Sequence, residues 1–331
     1  MNRIIRTHII EITGVLIIAL ALYLFSFGSS FKGSISLPPS ILNLNTIFIS
    51  ILIEALPFVL IGVLIAGIIQ IFVTEDHIRK CIPKNKVLAV IMSCVVGALF
   101  PACECGIVPI VRRLVGKGVP IYAAMGFMLT GPLINPIVIA STYMAFGNNM
   151  TIAGLRMGLG FIIAVMVAFA VSLFFKGAQF KSSTTTVHIH KQPKEDFITR
   201  LWSMLTHSID EFFDMAKYLI MGAFLAAFVQ TYMPAKALLE AGNGPVSSII
   251  VMMGLAYVLS LCSEADAFIG ASFSSIFPTP SILAFLIFGP MIDLKNTLMM
   301  LSVFRFKFVM TVLAFVVAIV FVSLLLVSGF L

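Results

Sequence analysis

Two stretches decide the fold: Ile49–Val73, ISILIEALPFVLIGVLIAGIIQIFV, and Ile209–Met233, IDEFFDMAKYLIMGAFLAAFVQTYM. Set 160 residues apart, they bring Glu54 onto Asp214, Gly62 onto Gly222, Ala66 onto Ala226 and Gln70 onto Gln230. The match continues downstream. Cys103 meets Cys262 at an offset of 159, and at 158 Pro120 meets Pro278 and Gly131-Pro-Leu-Ile-Asn135 meets Gly289-Pro-Met-Ile-Asp293. A near-constant offset predicts two copies of one unit of about 125 residues, and such a repeat governs the architecture. The reading divides the chain into an N-terminal helix and outer loop (1–45), a first membrane repeat (46–175), a polar linker (176–207) and a second membrane repeat (208–331).

The units belong in a bilayer. Of 331 residues, 60% are hydrophobic and 11% charged, where a soluble domain carries about 25% charged residues. Apolar runs of about 20 residues recur, each long enough to cross a membrane as a helix. The first, Ile9–Phe27, is long for a signal-peptide core and has no A-x-A-like cleavage site after it, so it reads as a retained anchor. The net charge of +7 does not point to nucleic acid. The basic residues sit in short loops between apolar runs, which is a topology signal. The expected fold is an all-α polytopic membrane protein of two inverted repeats with broken or re-entrant helices, plus one extra N-terminal helix.

Orientation follows from the Lys and Arg distribution. With the N-terminus cytoplasmic, Arg79, Lys80, Lys84 and Lys86 fall inside. Arg112, Arg113 and Lys117 fall inside only if Val87–Leu114 dips into the membrane and returns. The stretch Phe100-Pro-Ala-Cys-Glu-Cys-Gly106 is then the bottom of the dip, because Pro101 and Gly106 break a helix. The second repeat begins from the opposite side. Its dip, near Leu261–Ile276, enters from outside. Lys295, Arg305 and Lys307 are counted as inner loop cations, and Lys32, Lys236 and Arg156 as outer ones. Opposite entry is the arrangement of secondary transporters, whose broken helices meet at a midplane site.

Polar groups recur at corresponding depth in both copies: Glu54 and Asp214; Cys103, Glu104 and Cys105; Cys262, Glu264 and Asp266; Asn135 and Asp293. An ionisable side chain inside a membrane segment costs roughly 2.5–3.5 kcal/mol on insertion scales, so such groups mark a pathway or binding site. Asp214 has a local partner at helical spacing in Lys217, whereas Glu54 has none. Between helix breakers, Cys103-Glu-Cys105 is expected to be extended. Both thiols would then face one cavity, with Glu104 turned to a backbone amide or a cation. Thiolates suit soft ions such as Zn(II), Cu(I) and trivalent arsenic. Two thiols cannot complete a four-ligand cage; Cys262 and Glu264 in the facing hairpin are the candidates to join Cys103 and Cys105. Asn135 and Asp293 each lie three residues after a Pro and are expected to line the cavity. Cys81 and Cys94 read as small buried hydrophobes, and His188-Ile-His190 as solvated linker.

FPACECGIVPIVRRLVGKGVP, TGPLINP and LCSEADAF resemble motifs of the predicted bacterial permease family that includes the ArsP organoarsenical exporters. The resemblance covers about Thr46–Leu331 and leaves the first helix outside. It implies an integral inner-membrane permease, with a role for Cys103 and Cys105 in engaging a trivalent arsenical. Those exporters carry a small neutral residue where this chain has Glu104. Glu104, Glu264 and Asp266 therefore turn the expectation towards a cationic, thiophilic solute. The chain is expected to act as a transporter and not an enzyme, with no cofactor. Its expected partners are the bilayer, a small-molecule or ion substrate and a membrane partner subunit. Two alternatives stand beside it: a membrane thiol–disulfide oxidoreductase passing reducing equivalents between Cys103 and Cys262, which would have no use for the acids, and a structural membrane subunit. No phosphate-binding loop of the Walker type occurs, so the chain has no ATP site of that kind to drive transport.

Overall fold

A computed structural model of the chain describes residues 38–72, 82–83, 85–100, 103–181, 197–232, 242 and 244–329. The expected helix at Ile9–Phe27, Cys81, Pro101 and the His188/His190 pair lie outside the described residues. Twelve helices are described. The first six are α1 (Pro39–Phe72), α2 (Lys86–Leu99), α3 (Glu104–Gly116), α4 (Ile121–Ile134), α5 (Pro136–Ala145) and α6 (Met150–Phe174). The next six are α7 (Phe197–Tyr232), α8 (Pro245–Leu259), α9 (Ser263–Ser272), α10 (Thr279–Met291), α11 (Leu294–Val303) and α12 (Phe306–Val327). The second six follow the order of the first: one long helix, two short ones, a broken pair and a closing helix.

Six segments are long and apolar enough to cross a membrane by length and composition, at 39–71, 121–145, 150–174, 202–232, 279–303 and 306–327. Two of them are the broken pairs α4–α5 and α10–α11, and these are the most buried of the six. Each break is built the same way. Asn135 leaves the helix in extended backbone, and its side chain accepts from Val138 N at 2.8 Å to start α5, with Pro136 at the first helical position. Asp293 is extended too, and its side chain accepts from Asn296 N at 2.5 Å to start α11.

The short pairs are hairpins. Gly126 of α4 lies against Ser93 and Cys94, and Phe127 and Thr130 lie against Gly97, so α2 runs parallel to α4. The limb α3 comes back: it ends at the short turn into α4, and its Ile107, near the start, lies against Gly131 late in α4. The second hairpin repeats this. Ser281 donates to Ser248 at 2.7 Å and the Tyr257 and Phe288 rings lie 6.4 Å apart, so α8 runs parallel to α10. Asp266 meets Gly289 and Gly270 meets Leu286, so α9 returns. The Cys103 and Cys262 segments are therefore the hairpin tips.

Small residues let backbones approach. A Cβ on Gly62 of α1 would strike the Gly106 carbonyl of α3, and one on Gly106 would lie 2.8 Å from the Phe58 carbonyl. Backbone cannot rotate aside as a side chain can. Gly62→Ala is expected to cost about 1–3 kcal/mol by overpacking, read as a lower unfolding temperature in detergent, whereas Gly158→Ala, with no atom within 4 Å of its Cβ, should be neutral.

Two helices of the first half run opposite to helices of the second that they meet. Phe48 of α1 packs on Phe224 of α7 with ring centroids 5.9 Å apart, while Gly67 meets Met204 and Ser208, so α1 and α7 are antiparallel. The start of α12 lies at the end of α6: Arg305 N donates to Gln179 O at 3.0 Å and the Phe180 and Phe304 rings stack at 5.8 Å. The base of α3 is clasped by α7, where Glu211 takes Arg112 Nη1 at 3.1 Å and both Nε and Nη2 of Arg113. Lys117 Nζ donates to Gln70 O at 2.6 Å. Arg112, Arg113 and Lys117 thus share the end of the molecule at which α1 finishes, as a returning hairpin requires.

Candidate functional site

The first hairpin tip is more helical than expected. Cys103 is the extended N-cap, and α3 begins at Glu104, so Glu104 and Cys105 occupy its first turn. The carboxylate is at home there, beside the free N–H groups of a helix start. Cys103 is half-buried, Cys105 and Glu104 are buried, and the Cys103 and Cys105 thiols lie beside one another. The thiols meet without the extended backbone.

Glu104 finds its cation in the other half of the chain. Lys295 Nζ, on α11, stands 3.1 Å from Glu104 Oε1, donates to Ser260 O at 3.2 Å and lies 3.7 Å from Asp293 Oδ2. Counting Lys295 as an inner loop cation is overturned: it is only 4% exposed. Ser260, at the end of α8, has left-handed backbone with φ 47°, which is uncommon for a residue with a Cβ. Asp293 is both a helix cap and a member of this group.

The second tip brings in Cys262, the N-cap of α9, half-buried with its thiol beside the Glu54 carboxylate of α1 and within electrostatic reach of Glu104. Asp266 is buried and within electrostatic reach of Arg156, Glu104, Asp293 and Lys295. Arg156, expected as an outer cation, is instead 2% exposed on α6. Its Nη1 donates to Thr142 Oγ1 of α5 at 2.6 Å and its Nη2 to Ser263 O of α9 at 3.1 Å. Glu264 is half-buried and within reach of Arg156.

The two tips therefore gather Cys103, Glu104, Cys105, Cys262, Asp266, Asp293 and Glu54. Asp214 is not among them: it is exposed and pairs with Lys217 at 3.3 Å. Asn135 caps α5 and donates to Gly131 O at 3.4 Å. Cys94 is wholly buried beside Val90 and Ala168, the small hydrophobe expected of it. Among the described residues, no three His, Cys, Asp or Glu side chains converge closely enough to hold a metal ion. Several buried atoms lack a hydrogen-bond partner: Glu104 Oε2, Asp266 Oδ2, Asp293 Oδ2, Ser263 Oγ and Arg156 Nε. Each such buried atom calls for a partner, a water or ion included. Sequence reasoning missed Lys295 and Arg156 as members of the site. The available signal was the one cation inside each apolar span, Lys295 in 279–303 and Arg156 in 150–174.

A family model described as a predicted permease, ArsP_1, matches residues 40–329. The chain belongs to this family. The chain is also similar to individual proteins. UPF0718 protein YcgR of Bacillus subtilis is 52% identical over 290 residues, 88% of this chain and 98% of its own length. A Streptococcus mutans protein described as a putative two-component membrane permease complex subunit is 43% identical over 274 residues, 83% of this chain and 91% of its own. UPF0718 protein MJ0584 of Methanocaldococcus jannaschii is 26% identical over 158 residues, 47% of this chain and 41% of its own. No solved structure matches the chain. Family membership and the six apolar spans make this a multi-pass membrane protein of a permease family.

Proposed function

We propose that this permease moves a small thiophilic solute across the cell membrane, binding it at the hairpin tips through Cys103 and Cys105, with Cys262 entering from the other half. What supports the reading is the Glu104–Lys295 contact, which joins the first tip to the other half of the chain beside the Cys103 and Cys105 thiols. The two halves act as inverted copies, 46–175 and 208–331, joined by the polar linker. The opposite runs of α1 against α7 and α6 against α12 support this. The N-terminus is cytoplasmic in a bacterial inner membrane, on the Lys and Arg count. A membrane partner subunit is part of the proposal, because the Streptococcus mutans relative is described as one subunit of a two-component complex.

The charge argument for a cationic solute loses its Glu104 part. Glu104 is answered at 3.1 Å by Lys295, so the acid beside the thiols is not an unpaired charge waiting for a metal. Soft neutral electrophiles and soft cations both fit the thiols.

The test is protection from alkylation. The full chain in lipid nanodiscs is treated with a maleimide, with and without phenylarsine oxide or cadmium, and each cysteine is followed by mass spectrometry. Protection of Cys103, Cys105 and Cys262 together by either probe is the expected result. Alkylation of the three at independent rates, indifferent to both probes, would sink the shared thiol site.

A further inference from the structure

The Lys295 ammonium sits where a bound ion would sit. Three oxygens from three separate segments surround it: Glu104 Oε1 at 3.1 Å, the Ser260 carbonyl at 3.2 Å and Asp293 Oδ2 at 3.7 Å. All four residues are buried. The carbonyl comes from the unwound end of α8, at a serine held in left-handed backbone; such a conformation persists only where its surroundings fix it. One carboxylate starts α3 and the other caps α11. Carbonyls from unwound helix ends together with carboxylates are the donor set with which broken-helix carriers hold a monovalent cation. The oxygens are not used up by the lysine. Glu104 Oε2 and Asp293 Oδ2 have no hydrogen-bond partner, and two carboxylates face one ammonium.

We propose that this oxygen cage is a monovalent-cation site whose occupant is the chain's own Lys295, a tethered cation that latches the first hairpin tip to the second. The positions that match Glu104 and Lys295 in the other copies are Ser263, at an offset of 159, and Ile137, at 158. The latch is therefore made once in the molecule and is not a requirement of the repeated unit. A built-in ammonium supplies the charge that a carrier without it would take from solution. That such a latch opens when solute passes rests on the proposed permease function; the cage itself stands on its geometry.

Removing the tether should leave a site that a free cation can fill. In Lys295→Ala, ammonium or methylammonium chloride should raise the unfolding temperature of the full chain in detergent by several degrees over choline chloride at equal ionic strength. Wild type should respond alike to all of these salts. The gain should vanish in Glu104→Gln/Lys295→Ala. If Lys295→Ala does not accumulate as folded protein, Lys295→Ser carries the same comparison in a shorter polar side chain. Equal responses to ammonium, methylammonium, sodium and choline in these variants would overturn the proposal. Failure of phenylarsine oxide to protect the thiols, with ammonium rescue intact, would remove the thiol reading and leave the cation site standing.

Discussion

Lys295→Met should be the most damaging single substitution in the chain, destabilising it by about 3–5 kcal/mol, the usual cost of stripping a buried ion pair of one partner. It leaves Glu104 and Asp293 buried without their cation. Glu104→Gln should cost less, since Lys295 keeps Asp293 within 3.7 Å. Combining the two should recover part of the loss, because Glu104 then no longer needs a counter-charge. Unfolding of all four proteins in detergent, followed by circular dichroism, gives the comparison. Additive losses in the double variant would mean that the pair is not coupled. The same set bears on solute choice. With its charge already answered, Glu104→Gln should weaken protection by phenylarsine oxide and by cadmium to a similar degree, and selective loss of the cadmium response would restore Glu104 as a cation ligand.

Arg156→Met is expected to follow at about 3 kcal/mol, because a buried guanidinium holding two partners is lost. Thr142 and the Ser263 carbonyl lose their donors, and Asp266 and Glu264 lose the cation within their reach. Arg156→Lys is the informative control. It keeps a positive charge but cannot span both partners as the planar guanidinium does, so it should retain about half of the stability and lose one hydrogen bond, about 1–2 kcal/mol. The readout is the same unfolding series. An Arg156→Met protein as stable as wild type would show that the bridge between α5, α6 and α9 holds nothing.

Most of the fold was legible because membrane segments advertise themselves by length and apolarity. The hairpins were legible for a different reason: Arg112, Arg113 and Lys117 made a full crossing awkward, and α3 does return to the end where α1 finishes. The same counting misplaced Lys295 and Arg156. The tally set these two cations in loops, and it has no means of seeing that a distant acid or carbonyl is waiting inside. Glu104 and Lys295 lie 191 residues apart, and no local pattern joins them. Cys103-Glu-Cys105 was read as extended from its flanking breakers. Gly106 proved to serve close packing against Phe58, which is a tertiary use of glycine that sequence spacing does not reveal. Asp214 shows the opposite case, since the helical spacing to Lys217 already contained the answer.

The single Glu104–Lys295 link bears on the ancestry of the chain. A protein assembled from two copies of its first half would bring Glu104 opposite Ile137, an acid facing an aliphatic side chain. Two copies of its second half would bring Lys295 opposite Ser263, a base without an acid. On the proposed repeat, neither half supplies its own complement, so neither copy could stand in for the other.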